Sequence, residues 1–312
     1  MRGMRTCLGG AVALAVAGWL AAAPASASTR RPDLPVIYSG AAALAYATLH
    51  PDTSPAGANN WSCQPSAAHP FPVVLVHGTV ENMTYNWFTL SPLLADHGYC
   101  VFALNYGQEP GVHVGLPGSA ETGGVAPMQR SARQLAAFVH RVLAATGATK
   151  VDIVGHSQGG MMPRYYMKFL GGARHVHELV GLAPSNHGTT VDGLAQLPGV
   201  PQLIEAGLGP AAEQQIAGST FLRKLNAGGD TLPGVSYTVI ESGYDEVVTP
   251  YTSAFLTGPH VRDILLQRQC PLDFSDHLAI SFDPVALRDV LNALDPAHAV
   301  TRSCQPTIPV AG

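Results

Sequence analysis

The apolar positions of this chain fall into short unbroken runs separated by longer amphipathic stretches, and that alternation sets the expected fold. Phe71 to Thr79 reads Phe-Pro-Val-Val-Leu-Val-His-Gly-Thr, a continuous apolar strand ending on a glycine turn. Unbroken apolarity suits a strand covered on both faces, as in a parallel sheet between helix layers. Further strands are expected at Cys100 to Tyr106, Val151 to Val154, Val176 to Ala183, Gly234 to Ser242 and Val261 to Gln267. Helices are expected at Asn86 to His97, at Pro127 to Thr146 with its proline near the start, beyond Ser157 through Lys168, and at Asp283 to Leu294. Strands and helices that alternate with short links predict a mostly parallel, doubly wound α/β sheet in a single domain, without internal repeats.

The alternation is broken twice. Residues 28–70 are rich in Pro, Ala, Ser and Asn, and only Ala41 to Leu49 looks helical, so this segment is expected to be a coil-rich arm lying on the domain. Between about 186 and 233, glycine and proline punctuate helical stretches near Pro201 to Ala206 and Ala211 to Leu225. A long insertion rich in Leu, Ile and Ala between two core strands usually forms a lid or a pocket wall, although an extra surface layer would bury the same apolar faces.

The start of the chain changes the picture of where it works. Arg2 and Arg5 precede an apolar run from Leu8 to Ala23, followed by Pro24 and Ala25-Ser26-Ala27. This is the pattern of a secretory signal, residues 1–27, cleaved after Ala27; the run is short for a retained membrane anchor. The remaining 28–312 form the expected domain, soluble, monomeric and without a membrane span. Loss of the two arginines leaves 15 basic against 21 acidic residues, a formal charge of −6 with no basic stripe, so nucleic acid is not an expected partner. Cys7 leaves with the signal, and Cys63, Cys100, Cys270 and Cys304 remain. An even number in an exported chain implies two disulfides among three pairings; proximity suggests Cys63 with Cys100 and Cys270 with Cys304. No metal or cofactor is expected, since no two cysteines have close ligand spacing.

The candidate chemistry centres on Gly155-His156-Ser157-Gln158-Gly159, which lies between an apolar strand and a helix-competent segment. In that context Gly-x-Ser-x-Gly reads as a nucleophile elbow, with Ser157 on a sharp, strained turn and its hydroxyl pointing outward. A serine hydroxyl needs a base within reach and an acid to orient the base, and on such a scaffold the chain order is Ser, acid, His. Asp245, in the loop after the strand around Tyr237 to Ile240, meets the condition for the acid, with Glu241 and Glu246 as rivals. His277, beyond the last expected strand, meets that for the base, with Asp276 beside it read as solvated. The N–H of Gln158 and that of Thr79, in the loop after the first strong strand, are the expected oxyanion donors. Met161, Met162, Leu203, Ile204, Leu208, Phe221 and Val248 are candidates for an acyl-chain surface, or else ordinary core.

His77-Gly78-Thr79, Gly155 to Gly160, Ser185-Asn186-His187-Gly188-Thr189 and Asp276-His277-Leu278 together resemble the actinobacterial secreted triacylglycerol lipases, the class 2 lipases of the α/β-hydrolase superfamily. The resemblance runs from about Trp61 to the closing helix. It implies an α/β-hydrolase fold and a serine carboxylesterase acting on acylglycerols at a lipid–water interface, with Ser157, Asp245 and His277 as triad. Some relatives hold a structural calcium, but no acidic cluster here stands out for one. A polyester depolymerase or an acyltransferase would use the same triad, and a non-catalytic surface-binding relative is the alternative of a different class.

Overall fold

A computed structural model describes Met1 and residues 33–50, 52–110, 122–301 and 303–309; the expected leader lies outside the described residues apart from Met1. Six strands, β1 (Val73–Val76), β2 (Val101–Leu104), β3 (Val151–His156), β4 (Val176–Leu182), β5 (Ser236–Glu241) and β6 (Val261–Leu265), form one sheet in the order β2-β1-β3-β4-β5-β6. Every pairing is parallel. The described helices are α1 (Gly40–Leu49), α2 (Met83–Asn86), α3 (Leu90–Asp96), α4 (Met128–Thr146), α5 (Gln158–Phe169), α6 (Val200–Leu208), α7 (Pro210–Gln214), α8 (Thr220–Asn226), α9 (Leu266–Gln269) and α10 (Pro284–Leu294).

The unbroken apolar runs are explained by two cores. Val74 and Val76 of β1 face a cluster shared with Leu135 and Val139 of α4 and Met161 and Tyr166 of α5. Val73 and Leu75 face the opposite cluster, with Leu90 and Leu94 of α3 and Val290 and Leu291 of α10. Successive side chains point to opposite faces, so β1, covered on both, is apolar at each of its four positions. The last strand, β6, escapes this demand because it lies at the edge, and Arg262 and Asp263 are exposed there.

Boundaries depart from expectation where a side chain has other business. The helix expected from Asn86 to His97 begins late, as α3 at Leu90: α2, capped by Asn82, ends at Asn86, and Thr89 turns its hydroxyl to the Ile37 carbonyl, 2.6 Å away. The stretch from Ala211 to Leu225 divides at Gly218 (φ +79°), a left-handed turn that suits glycine, after which Ser219 caps α8. The strand expected to run to Gln267 becomes helical at Leu266. Cys63 is bonded to Cys100, which ties the coil-rich arm to the start of β2, and Cys270 to Cys304, which staples the C-terminal segment beside the loop carrying His277.

Strand order reverses between β1 and β3, and in an open α/β sheet the crevice beyond the carboxyl ends at such a point is where ligands bind.

Candidate active site

Ser157 occupies the turn between β3 and α5 with φ 54° and ψ −123°, a conformation that L residues rarely adopt. Two close approaches hold it there. A Cβ on Gly155 would come within 1.9 Å of the Gly159 carbonyl oxygen, and one on Gly159 within 2.0 Å of that of Val76. The pentapeptide glycines thus let strand, turn and helix pack against one another and against β1. The turn leaves Ser157 only 6% exposed.

Beyond β1, Gly78 to Glu81 form a loop bent by a positive φ of 58° at Val80. Gly78 N–H donates to Glu81 Oε2 at 2.9 Å, and Val80 N–H to the Gly123 carbonyl at 3.0 Å. Among the described residues no hydrogen bond occupies the main-chain N–H of Thr79 or of Gln158, the first residue of α5. Their side chains are joined instead, Thr79 Oγ1 donating to Gln158 Oε1 at 3.0 Å. Gln158 Nε2 donates to the Tyr106 hydroxyl at 3.3 Å, which donates to the His77 carbonyl at 2.7 Å. Burial pulls His77 down to about 4, so its imidazole is neutral.

The loop after β5 carries Asp245, and the loop between α9 and α10 carries His277. His277 Nδ1 bonds Asp245 Oδ2 at 2.7 Å, with both residues buried. Asp245 Oδ1 accepts the N–H groups of Val247 and Val248 at 2.8 and 2.7 Å. Burial pushes the Asp245 carboxyl up, but His277 and these two N–H donors outweigh it and hold the group below its ordinary value. Among the described residues neither rival acid bonds the His277 imidazole. Glu246 Oε2 accepts the backbone N–H of His277 at 3.2 Å, and Glu241 is fully buried with Oε1 on the Ser242 N–H at 2.8 Å. Burial and the neighbouring Asp245 charge push Glu241 well above the ordinary carboxyl value. Asp276 is not solvated: it is 6% exposed, and its Oδ1 accepts from the N–H groups of Leu278 and Ala279. No hydrogen bond among the described residues joins Ser157 Oγ directly to His277; the link between their segments runs through His156.

His156, inside the pentapeptide, is a residue whose part the sequence did not suggest. Its Nε2 donates to the His277 carbonyl at 2.8 Å, its Nδ1 lies 3.1 Å from Glu81 Oε2, and the two imidazole centroids are 4.9 Å apart. Burial lowers the His156 value, yet Glu81 and the His277 carbonyl more than compensate, so it rises. Burial likewise raises Glu81, and His156 brings it below the ordinary value. Both shifts describe one buried ion pair.

Of the residues considered for an acyl-chain surface, Met161, Met162, Phe221 and Val248 lie in the core cluster on the α4–α5 side of the sheet. Leu203 and Leu208 of α6 are exposed and Ile204 is half-buried. The Ser-Asn-His-Gly-Thr segment clamps the acid loop from outside: Thr189 Oγ1 donates to the Val247 carbonyl and accepts from Thr249 N–H, and His187 N–H donates to the Ser253 carbonyl. Among the described residues no group of three or more His, Cys, Asp or Glu could hold a metal ion, and no helix is long and apolar enough to cross a membrane.

Parallel strands in this order, with a strained serine turn closing the central one, are the architecture of the α/β hydrolases. Solved structures share it: lipase B of Aspergillus fumigatus aligns with a TM-score of 0.57 over 80% of this chain and 56% of its own, at 22% identity. The mature lipase BlEst2 of Bacillus licheniformis aligns with a TM-score of 0.54 over 74% of this chain and 94% of its own, at 17% identity. At such identities the likeness is one of fold alone. Within that superfamily, the chain belongs to the lipase (class 2) family, whose model matches residues 70–286. Triacylglycerol lipases of Pseudarthrobacter phenanthrenivorans and Burkholderia plantarii are each 40% identical over 104 residues, 32% of this chain. The matched stretch spans 28% and 25% of those relatives' own lengths.

Proposed function

We propose that this chain is an exported carboxylester hydrolase that acts on acylglycerols, with Ser157 as nucleophile, His277 as general base and then acid, and Asp245 as the orienting carboxylate. The observation that carries the reading is the 2.7 Å bond between Asp245 Oδ2 and His277 Nδ1. It favours the tautomer with the proton on Nδ1, which leaves Nε2 to accept one. As Ser157 Oγ attacks the ester carbonyl, its proton passes to His277 Nε2. The carbonyl electrons move onto oxygen, where the N–H groups of Thr79 and Gln158 stabilise the charge. Collapse breaks the bond to the alcohol oxygen, which takes the proton from the imidazolium and departs. Water then attacks the acyl-enzyme by the same sequence, releasing the fatty acid and restoring the serine.

Family membership supports ester hydrolysis, and the names of the matched relatives support acylglycerols as the substrate class. Two disulfides support export, since such bonds persist in oxidising compartments, and the Ala25-Ser26-Ala27 pattern supports removal of residues 1–27. Leu203, Ile204 and Leu208 offer accessible apolar surface on α6 to an acyl chain, whereas Met161 and Met162 are fully buried. The test is turnover of p-nitrophenyl esters and emulsified triglycerides by the mature protein and by Ser157→Ala. Loss of about four to six orders of magnitude in kcat is expected in the variant; near-equal rates would refute the mechanism. Polymer films and alcohol acceptors in parallel assays separate hydrolysis of acylglycerols from polyester cleavage and acyl transfer.

A further inference from the structure

We propose that Gln215, at the end of α7 in the insertion, is a positioning residue for the oxyanion hole, holding Thr79 and Gln158 in register; this rests on the hydrolase reading above. Gln215 is 7% exposed, and its Nε2 lies 2.8 Å from Thr79 Oγ1, 3.2 Å from Gln158 Oε1 and 3.2 Å from the Ala211 carbonyl. The residues it touches from above are the two whose main-chain N–H groups are unoccupied.

The bonding is complementary in sign. Thr79 Oγ1 spends its single proton on Gln158 Oε1 and must accept from elsewhere, which Gln215 Nε2 supplies. Gln158 Oε1 is a double acceptor, and the other end of that amide runs through Tyr106 to the His77 carbonyl, two residues before Thr79. The loop strained at Val80 is held on either side of Thr79 by the N–H bonds of Gly78 and Val80, and at Thr79 itself these side-chain bonds set where the N–H points.

Gln215 is itself fixed from both sides by the Ser-Asn-His-Gly-Thr segment. Ser185 Oγ donates to Gln215 Oε1 at 2.8 Å, and Thr189 N–H donates to the Gln215 carbonyl at 2.9 Å. Between them Gly188 has φ +83°, and a Cβ there would come within 2.6 Å of that carbonyl. The motif therefore works through Gln215: it seats one amide of the insertion over the loop where oxyanion charge develops. On this view the insertion completes the catalytic site.

The experiment compares wild type, Gln215→Met and Gln215→Ala on a short soluble p-nitrophenyl ester, with kcat expressed per serine titrated by a fluorophosphonate. Gln215→Met keeps the volume and removes both donors. The expected result is a fall in kcat of about tenfold to a hundredfold with KM within about twofold, and a boronic-acid inhibitor weakened in proportion, because only tetrahedral species use the hole. In a Thr79→Val background the same substitution should cost less than about threefold, since the two act as one unit. A purely structural role would lower the titrated fraction and the melting temperature but leave kcat per titrated site unchanged, and that outcome overturns the proposal. So does a loss confined to KM. Should the Gln215 variants fail to fold, Ser185→Ala, which frees only the Oε1 end, is expected to lower kcat per site by about twofold to tenfold, and no change overturns the proposal. A wild type that neither takes the probe nor turns over esters overturns the hydrolase reading and this inference together; a labelled wild type with unaffected variants overturns this inference alone.

Discussion

His156 Nε2 donates to the carbonyl oxygen of His277 at 2.8 Å, so the residue beside Ser157 grips the backbone of the residue that bonds Asp245. The other nitrogen of the same ring lies 3.1 Å from Glu81, whose carboxylate also takes the N–H of Gly78 at 2.9 Å. One buried imidazole thus ties the loop after β1, the elbow and the histidine loop together. Side chains on three loops need such bracing if they are to stay within a fraction of an ångström of a productive geometry.

The ion pair predicts a pH window of stability. His156 is raised above 6.5 in the folded chain, so its contribution is complete below 6.5 and is lost as pH rises through the raised value. Glu81 is lowered below 4.5, so its contribution is complete above 4.5 and is lost as pH falls through the lowered value. Glu81→Ala is therefore expected to cost about 3–5 kcal/mol near pH 5.5 and distinctly less near pH 9. Urea unfolding at both values measures this, and an equal deficit at the two would sink the ion-pair account.

Three acids near His277 predict three different activities. Asp245→Asn removes the carboxylate from the ring and should lower kcat by about a thousandfold to ten-thousandfold. Glu246→Gln changes only an acceptor for the His277 backbone N–H and should cost under about tenfold. Glu241, pushed well above its ordinary value by burial and the Asp245 charge, makes no hydrogen bond to the imidazole among the described residues, so Glu241→Gln should cost under about threefold. Steady-state kinetics on one soluble ester orders the three, and Glu246→Gln as the most damaging change would move the orienting role to that residue.

Much of this arrangement was legible in the chain because it rests on short-range patterns. The four apolar residues of β1 announce a strand covered on both faces, and Gly155 and Gly159 announce a turn too tight for side chains. Its place after the last expected strand picks His277 from thirteen histidines, and His277 is the one bonded to Asp245. What could not be read is long-range pairing of polar groups. Glu81 meets His156 across 75 positions and Gln215 meets Thr79 across 136, and no periodicity encodes either contact. Asp245, Glu241 and Glu246 lie within six consecutive positions and have the same chemistry; only the fold of the loop brings one of them to the imidazole. The helix expected at 86–97 starts only at Leu90, and Thr89 just before it is bonded to Ile37, a partner that a local window does not contain.

The sheet also holds a conflict that can be relieved. Asp152 on β3 and Glu178 on β4 are direct cross-strand partners, both buried, and like charges so placed destabilise a sheet. Asp152 is bonded to His177 Nδ1 at 2.8 Å and Glu178 to the Thr238 hydroxyl at 2.8 Å. Burial first, and then the Asp152 charge, push Glu178 up to about 7. A carboxyl raised from 4.5 to about 7 binds its proton more tightly folded than unfolded, so the chain should lose stability as pH climbs between those values and stay lower above them. Glu178→Gln keeps an acceptor for Thr238 and carries no charge. It is expected to match wild type near pH 4.5 and to gain up to about 3 kcal/mol near pH 8, read from denaturant midpoints. A gain of the same size at both pH values would locate the benefit in packing, and no gain near pH 8 would show that the buried pair is not in conflict.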